Sequence, residues 1–332
     1  MPCDQLTKRE LLDKITRGIA SSDWRFKVLS NRYPFIIKIQ RGSECYTLRI
    51  FVLNYIRRLG RACRNAYTNE YIPAVEISGS NGVIPLLLTW HNGYDLLVGY
   101  DLRRHQCQVG EDVQSIQVTT ESLCQAHQDY FALHLHEKKE ILFVFQPALL
   151  CEYAIRNRAL HSFLDNPVDL KLLYSASRNP LQISERELRQ LSSTERSGIV
   201  LTLVSRIREI DFVRRILSAY SYRCGMCLEL QFHVSVVRIT QPTESVDTDD
   251  TSNGVALCAL HRKAFEAGLL HLQDDYRIVF ETRRVKRSEK RLSGRWTREA
   301  ESKLRPCIAL PAERDQWPSV ERFRQHRLGI ST

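Results

Sequence analysis

Four residues with the chemistry to hold a metal fall in two short pairs, Cys224 and Cys227 in "RCGMC", and Cys258 and His261 in "LCALH". Thiolate sulfur and imidazole nitrogen are the donors that tetrahedral zinc prefers, and each pair has the spacing of a tight turn. Two pairs separated by about thirty residues can converge on one ion. The competing reading is two structural cysteines beside an unrelated histidine, and the double pairing favours zinc. Between the pairs runs "VVRITQPTESVDTDDTSNGVALC", with Arg238, the carboxylates of "VDTDD" and Asn253. An arginine here offers five donors, no lone pair and a permanent charge.

The elements that must position these groups are legible by pattern. A helix over "VLTLVSRIREIDFVRRILSAYSYR" leads into the first cysteine pair, with Arg206, Arg208, Arg214 and Arg215 available to lie on DNA or to form a solvated face. Upstream, "KRELLDKITRGIA" has a helical stripe at Leu11, Leu12, Ile15 and Ile19. "PFIIKIQ", "CYTLRIFVLNYI", "AVEIS", "IPLLLTW", "DLLVGYDL", "SIQVT" and "ILFVFQP" read as strands between Gly, Asn and Pro punctuation. The fold class expected is α+β. A mainly antiparallel N-terminal domain spans 1–158, a polar linker with short helices spans 159–198, and a zinc-knuckle domain with a basic tail spans 199–332.

The chain has 332 residues and a net charge of +10, which favours polyanionic partners such as nucleic acid. Two basic clusters stand out. "RRLGRACRN" places Arg57, Arg58, Arg61 and Arg64 around a glycine, either as a phosphate-contacting loop or as a charged turn. The stretch 283–305 holds ten Lys or Arg against three Glu, among them Arg283, Arg284, Lys286, Arg287, Lys290 and Arg291. No apolar run is long enough to span a bilayer, and the N-terminal residues lack the h-region of a signal peptide. Ten cysteines, most of them single or in metal-ligand spacing, suit a reducing compartment, so a cytoplasmic or nucleoid location is expected.

From Asp211 to Phe280, "FVRRILSAYSYRCGMC", "DDTSNGVALCALH", "AFEAGLL" and "DYRIVF" resemble the HNH (ββα-metal) endonuclease module. The whole chain, through "YDLRRH" and "SIQV", is similar to bacterial restriction endonucleases that add an N-terminal recognition domain. The resemblance implies a ββα-metal fold and places a general-base His at the position of Arg238. It matches Asn253 to the Asn that orients that base, and it places the His that ligates the catalytic Mg²⁺ or Mn²⁺ at Arg262. Ser235 stands where the family often has a carboxylate. Arginine neither takes a proton from water nor ligates a divalent cation. Loss of a general base alone costs about 10²–10⁴-fold in rate, and loss of the metal removes Lewis-acid assistance as well. His233 lies five residues before Arg238 and so points to the opposite face of a strand, while His271 reads as a packing or surface residue.

Three functions are therefore weighed. The first is a DNA-binding member of the HNH restriction family without nuclease activity, serving recognition or regulation in defence, beside an active paralogue or as a homodimer. The second is an atypical, modification-dependent endonuclease, and the third is a protein–protein interaction module.

Overall fold

The helix expected from "KRELLDKITRGIA" is α1, Lys8–Ala20. Thr7 and Glu10 close a capping box at its start, and Leu11, Ile15 and Ile19 form its buried stripe. The computed structural model describes residues 5–56, 66–69, 82–105, 117–137, 139–227, 234–240, 249–281 and 294–331. The protein is α+β with a mainly antiparallel sheet. It divides into two compact units, Met1–Ile207 and Arg208–Thr332.

Among the described residues, nine strands build the sheet of the first unit: β1 (Arg25–Ser30), β2 (Phe35–Arg41), β3 (Glu44–Ile56), β4 (Ala66–Asn69), β5 (Val83–His91), β6 (Leu96–Tyr100), β7 (Gln117–Thr119), β8 (Phe131–His136) and β9 (Glu140–Phe145). Their order is β1-β2-β3-β5-β6-β9-β8, and β4 branches from β3 to pair with β7. β3 and β5 run parallel, whereas the other pairings are antiparallel. β6 and β9 are buried at every position, as expected of strands covered on both faces. Edge strand β1 is largely exposed. The strand expected at "AVEIS" lies outside the described residues.

Helices α2 (Thr120–Asp129), α3 (Leu150–His161), α4 (Pro167–Arg178) and α5 (Glu185–Leu188) complete this unit, and α6 (Thr194–Ala219) carries the chain into the second. The polar segment 159–198, expected as a linker, therefore lies inside the first unit. Leu160, Phe163, Leu173, Leu188 and Leu191 are buried along it. Its polarity is turned inward on Asp169, which is fully buried. Asp169 accepts hydrogen bonds from the Ser192 N–H (2.8 Å) and hydroxyl, and pairs with Arg196 Nη1 at 2.6 Å. Arg196 Nη2 donates in turn to Ser162 O at 3.0 Å.

Burial raises the Asp169 carboxyl pKa, but the Ser192 and Arg196 contacts outweigh it and hold the group below the usual carboxylate value. Its stabilisation is thus present above the unfolded pKa and is lost as pH falls through the folded one. Asp169→Asn, which keeps the shape and removes the charge, is expected to cost about 2 kcal/mol near neutrality. In thermal unfolding the gap between variant and wild type should close on acidification. A gap that stays constant down to acid pH would exclude the ion-pair account.

In the second unit, β10 (Val234–Arg238) and β11 (Gly254–Cys258) pair antiparallel, with Val234 opposite Cys258 and Arg238 opposite Gly254. Helix α7 (Ala259–Glu266) follows β11 directly, giving the order ββα. A short hairpin, β12 (Leu270–Leu272) and β13 (Ile278–Phe280), precedes α8 (Gly294–Ser302) and α9 (Val320–Ser331). Phe212, Ile216, Met226, Val255, Leu257, Phe265 and Phe323 lie in its core. At Gly254 a Cβ would fall 2.4 Å from Ile216, so the α6 side chains can approach the hairpin only against glycine. Among the described residues, no helix is long and apolar enough to cross a membrane.

Candidate metal centre

Cys224 and Cys227 sit on the turn that follows α6, and two backbone hydrogen bonds fix that turn. Gly225 N donates to Ala256 O of β11 at 2.8 Å, and Ala309 N donates to Gly225 O at 2.7 Å. A Cβ at Gly225 would lie 2.9 Å from the Tyr220 ring, so the close approach requires glycine. Cys258 ends β11 and caps the N-terminus of α7, which places His261 within the first turn of that helix. The hairpin and helix thereby bring the second pair against the first.

The donor atoms of Cys224, Cys227, Cys258 and His261 all lie within 4.8 Å of one another, and three of the four residues are buried. His261 Nδ1 is 3.3 Å from Cys258 Sγ and 3.5 Å from Cys224 Sγ. The other ring nitrogen, Nε2, donates to Ala300 O of α8 at 3.0 Å. That bond selects the tautomer whose Nδ1 lone pair faces the sulfurs, the arrangement a metal-ligating imidazole needs.

Electrostatics agree with this donor set. The thiols of Cys224 and Cys227 draw the Cys258 thiol far below the ordinary thiol range, against the effect of burial. Burial opposes protonation of His261, yet Cys224 and Cys258 raise it to about 10. The centre of the cluster therefore attracts positive charge. Three sulfurs and one nitrogen leave no position for a substrate, so the cluster can hold one metal ion in a closed site.

Arg238 ends β10 with its side chain only 13% exposed. Its guanidinium lies 3.9 Å over the Phe212 ring and forms ion pairs with Glu209 (3.2 Å) and Asp249 (2.9 Å). Asn253 is fully buried. It accepts from Thr240 N (2.9 Å) and Oγ1 (3.0 Å), and donates to Thr240 O at 3.0 Å. Arg262 is exposed on α7 and pairs with Glu266 at 2.7 Å. The Ser235 hydroxyl reaches Leu257 O at 3.5 Å, and His271 lies on β12, 3.9 Å from Glu281.

On α6, Arg215 binds Asp211 (2.7 Å), the Thr251 hydroxyl (2.8 Å) and Asp249 O (2.7 Å), and Arg214 binds Asp211 at 3.1 Å. Arg215 thus fastens the helix to the loop before β11, whereas the Arg214–Asp211 pair lies within the helix. In "YDLRRH", Arg103 folds back on Asp101 (2.8 Å) and His105 pairs with Glu140 (2.9 Å). Arg57, Arg58, Arg61, Arg64, Arg283, Arg284, Lys286, Arg287, Lys290, Arg291 and His233 lie outside the described residues. The partners of Arg238 and the Ala300 carbonyl carry no signal in the sequence, because they arrive from elements far along the chain.

The described chain is thus an α+β protein whose second unit carries a buried four-donor cluster that could hold a metal ion. No family model and no curated protein matches the sequence. Among solved structures the chain pairs with one titled a modification-dependent TagI restriction endonuclease, over 85% of this chain and 81% of that one. The TM-score is 0.29 and the identity 11%, a likeness too low to establish a common fold.

Proposed function

We propose that the second unit is a zinc-stapled ββα module of HNH type that has lost hydrolytic chemistry, and that the chain binds DNA through cations not consumed by its own carboxylates. The observation that carries the inert reading is Arg238. At the position where the family resemblance puts a general base, this residue is a cation locked between Glu209 and Asp249 over an aromatic ring. It can take up no proton, and its charge is already matched. Arg262, at the position of the catalytic metal ligand, offers no lone pair either.

Zinc is the metal that best fits a closed set of three thiols and one imidazole, and its role there is structural. The DNA reading is supported by the net charge of +10 and by the basic stretch 283–305. In this reading the protein is a recognition or regulatory component, with defence as the setting that the family resemblance suggests.

Binding to a labelled duplex should weaken steeply with salt, with a log–log slope steeper than about −3. Supercoiled plasmid, unmodified or methylated, should stay intact with Mg²⁺, Mn²⁺ or Zn²⁺. Nicking that follows the protein through two unrelated columns would overturn the inert reading and favour the atypical endonuclease. A flat salt dependence would overturn DNA binding and favour a protein partner.

A further inference from the structure

We infer that the turn over the metal cluster is a contact for an unpaired DNA base, with Tyr222 stacking on the base while Arg223 and Arg305 hold the flanking phosphates. This rests on the DNA-binding reading above and assigns it to one surface.

The surface is built by the end of α6. Tyr222 N donates to Leu217 O at 2.8 Å and Ser221 N to Ser218 O at 2.9 Å, the paired bonds of a Schellman cap. Such a cap asks for one left-handed residue, usually glycine. Here two successive non-glycine residues take that conformation, Ser221 at φ +49° and Tyr222 at φ +57°. A bulky aromatic in this region is an outlier that surrounding structure must impose. The consequence is a change of side. The Tyr220 ring is buried in the core, whereas Tyr222 is 57% exposed. A third bond, Arg223 N to Tyr220 O at 3.0 Å, ties the turn down immediately before Cys224.

Two cations belong to the same turn. Arg223 is exposed beside the cysteine turn. Arg305, also exposed, is fixed to the same turn by its N–H, which donates to Met226 O at 3.0 Å. Among the described residues neither side chain has a carboxylate partner, in contrast to Arg238, Arg262 and Arg324, which are all paired. Glu301, in the turn before Arg305, forms no ion pair with either.

An exposed π-face on a turn that also carries two exposed arginines without carboxylate partners fits a nucleotide chain. The ring takes a base face, and the planar forks take phosphate oxygens. The base must be unpaired, because in an intact duplex its faces are already occupied by neighbouring bases. Fastening the turn to the metal cluster keeps the ring and cations in place before DNA arrives.

The test uses the full chain with its metal bound, and fluorescence anisotropy with a labelled single-stranded oligonucleotide, a fully paired duplex and a duplex with a one-nucleotide bulge. Tyr222→Ala should weaken binding to the single strand and the bulge about tenfold and leave the paired duplex nearly unchanged, while Tyr222→Phe retains wild-type binding. Arg223→Ala with Arg305→Ala should reduce the single-strand salt slope by about 1.4, two contacts at about 0.7 each. Tyr222→Gly relaxes the left-handed backbone and supplies a second ring-deleted variant that keeps the fold. Wild-type binding with Tyr222→Ala, Tyr222→Gly and the double arginine variant all unchanged overturns this surface and leaves the DNA reading standing. No binding of any of the DNAs by the wild type overturns both.

Discussion

With the zinc proposed for the four-donor cluster, Cys258→Ser is expected to empty the site and unfold the second unit, zinc falling from one per chain to none by elemental mass spectrometry. The size of the effect follows from where the residue sits. Cys258 is the last residue of β11 and the N-cap of α7, and it is fully buried between the other donors. A structural zinc contributes about 10–16 kcal/mol of apparent binding free energy. A domain's whole stability is only about 5–15 kcal/mol. Losing one of four ligands therefore removes an amount comparable to the total.

Among the described residues the strand pairs of this unit are two-stranded and short, so its apolar core has little sheet to lean on without the cluster. A strong chelator should do the same to the wild type. Limited proteolysis should then cut within Arg208–Thr332, and the nine-stranded sheet, which has its own core, should persist. A Cys258→Ser protein with wild-type melting would show that the cluster is packed thiol core and not a metal site.

The sequence announces this centre because its ligands are local. A pair three residues apart is constrained by one turn or one helix start, so residue type and spacing suffice to mark it. The same locality makes α1 readable from "KRELLDKITRGIA" to its observed ends, since cap and apolar stripe lie within thirteen residues. Legibility fails where a residue's environment is assembled from far along the chain. Arg238 reads in sequence as an open cation, yet Glu209 from α6 and Asp249 from the loop before β11 close on it.

The segment 159–198 is hard to read for a related reason. Its Ser, Asp and Arg content predicts solvent exposure, but Ser192 and Arg196 satisfy Asp169 and let that carboxylate be buried. In edge strand β1, "RFKVLS", most positions face solvent, the apolar Phe26 and Leu29 included, so hydropathy misreports which face is covered. Composition counts polar groups, whereas folding counts polar groups left without partners.

Asn253→Ala is expected to lower stability by about 3 kcal/mol, a drop of about 10 °C in the melting of the second unit. The family resemblance would give Asn253 an orienting role beside a catalytic base, but its amide is committed to Thr240, two residues beyond Arg238. One side chain accepts from the Thr240 N–H and hydroxyl and donates to the Thr240 carbonyl, while the Asn253 carbonyl accepts from Ile239 N at 2.9 Å. These bonds continue the β10–β11 ladder past its last pair, Arg238 opposite Gly254. Alanine leaves a backbone donor and a backbone acceptor without partners in a part-buried place.

Asn253→Asp separates the two roles further. The carboxylate keeps both accepting contacts but loses the donor, and it faces the Thr240 carbonyl oxygen with a negative charge. Its folded pKa should therefore rise above the unfolded value, because only the protonated carboxyl can donate there. The aspartate variant should thus approach wild-type stability in acid and lose it as pH climbs through the folded pKa. An orienting residue would behave otherwise, with Asn253→Ala leaving melting near wild type and changing only metal-dependent nicking. Thermal unfolding of the two variants across pH decides between a strand clasp and a remnant of catalysis.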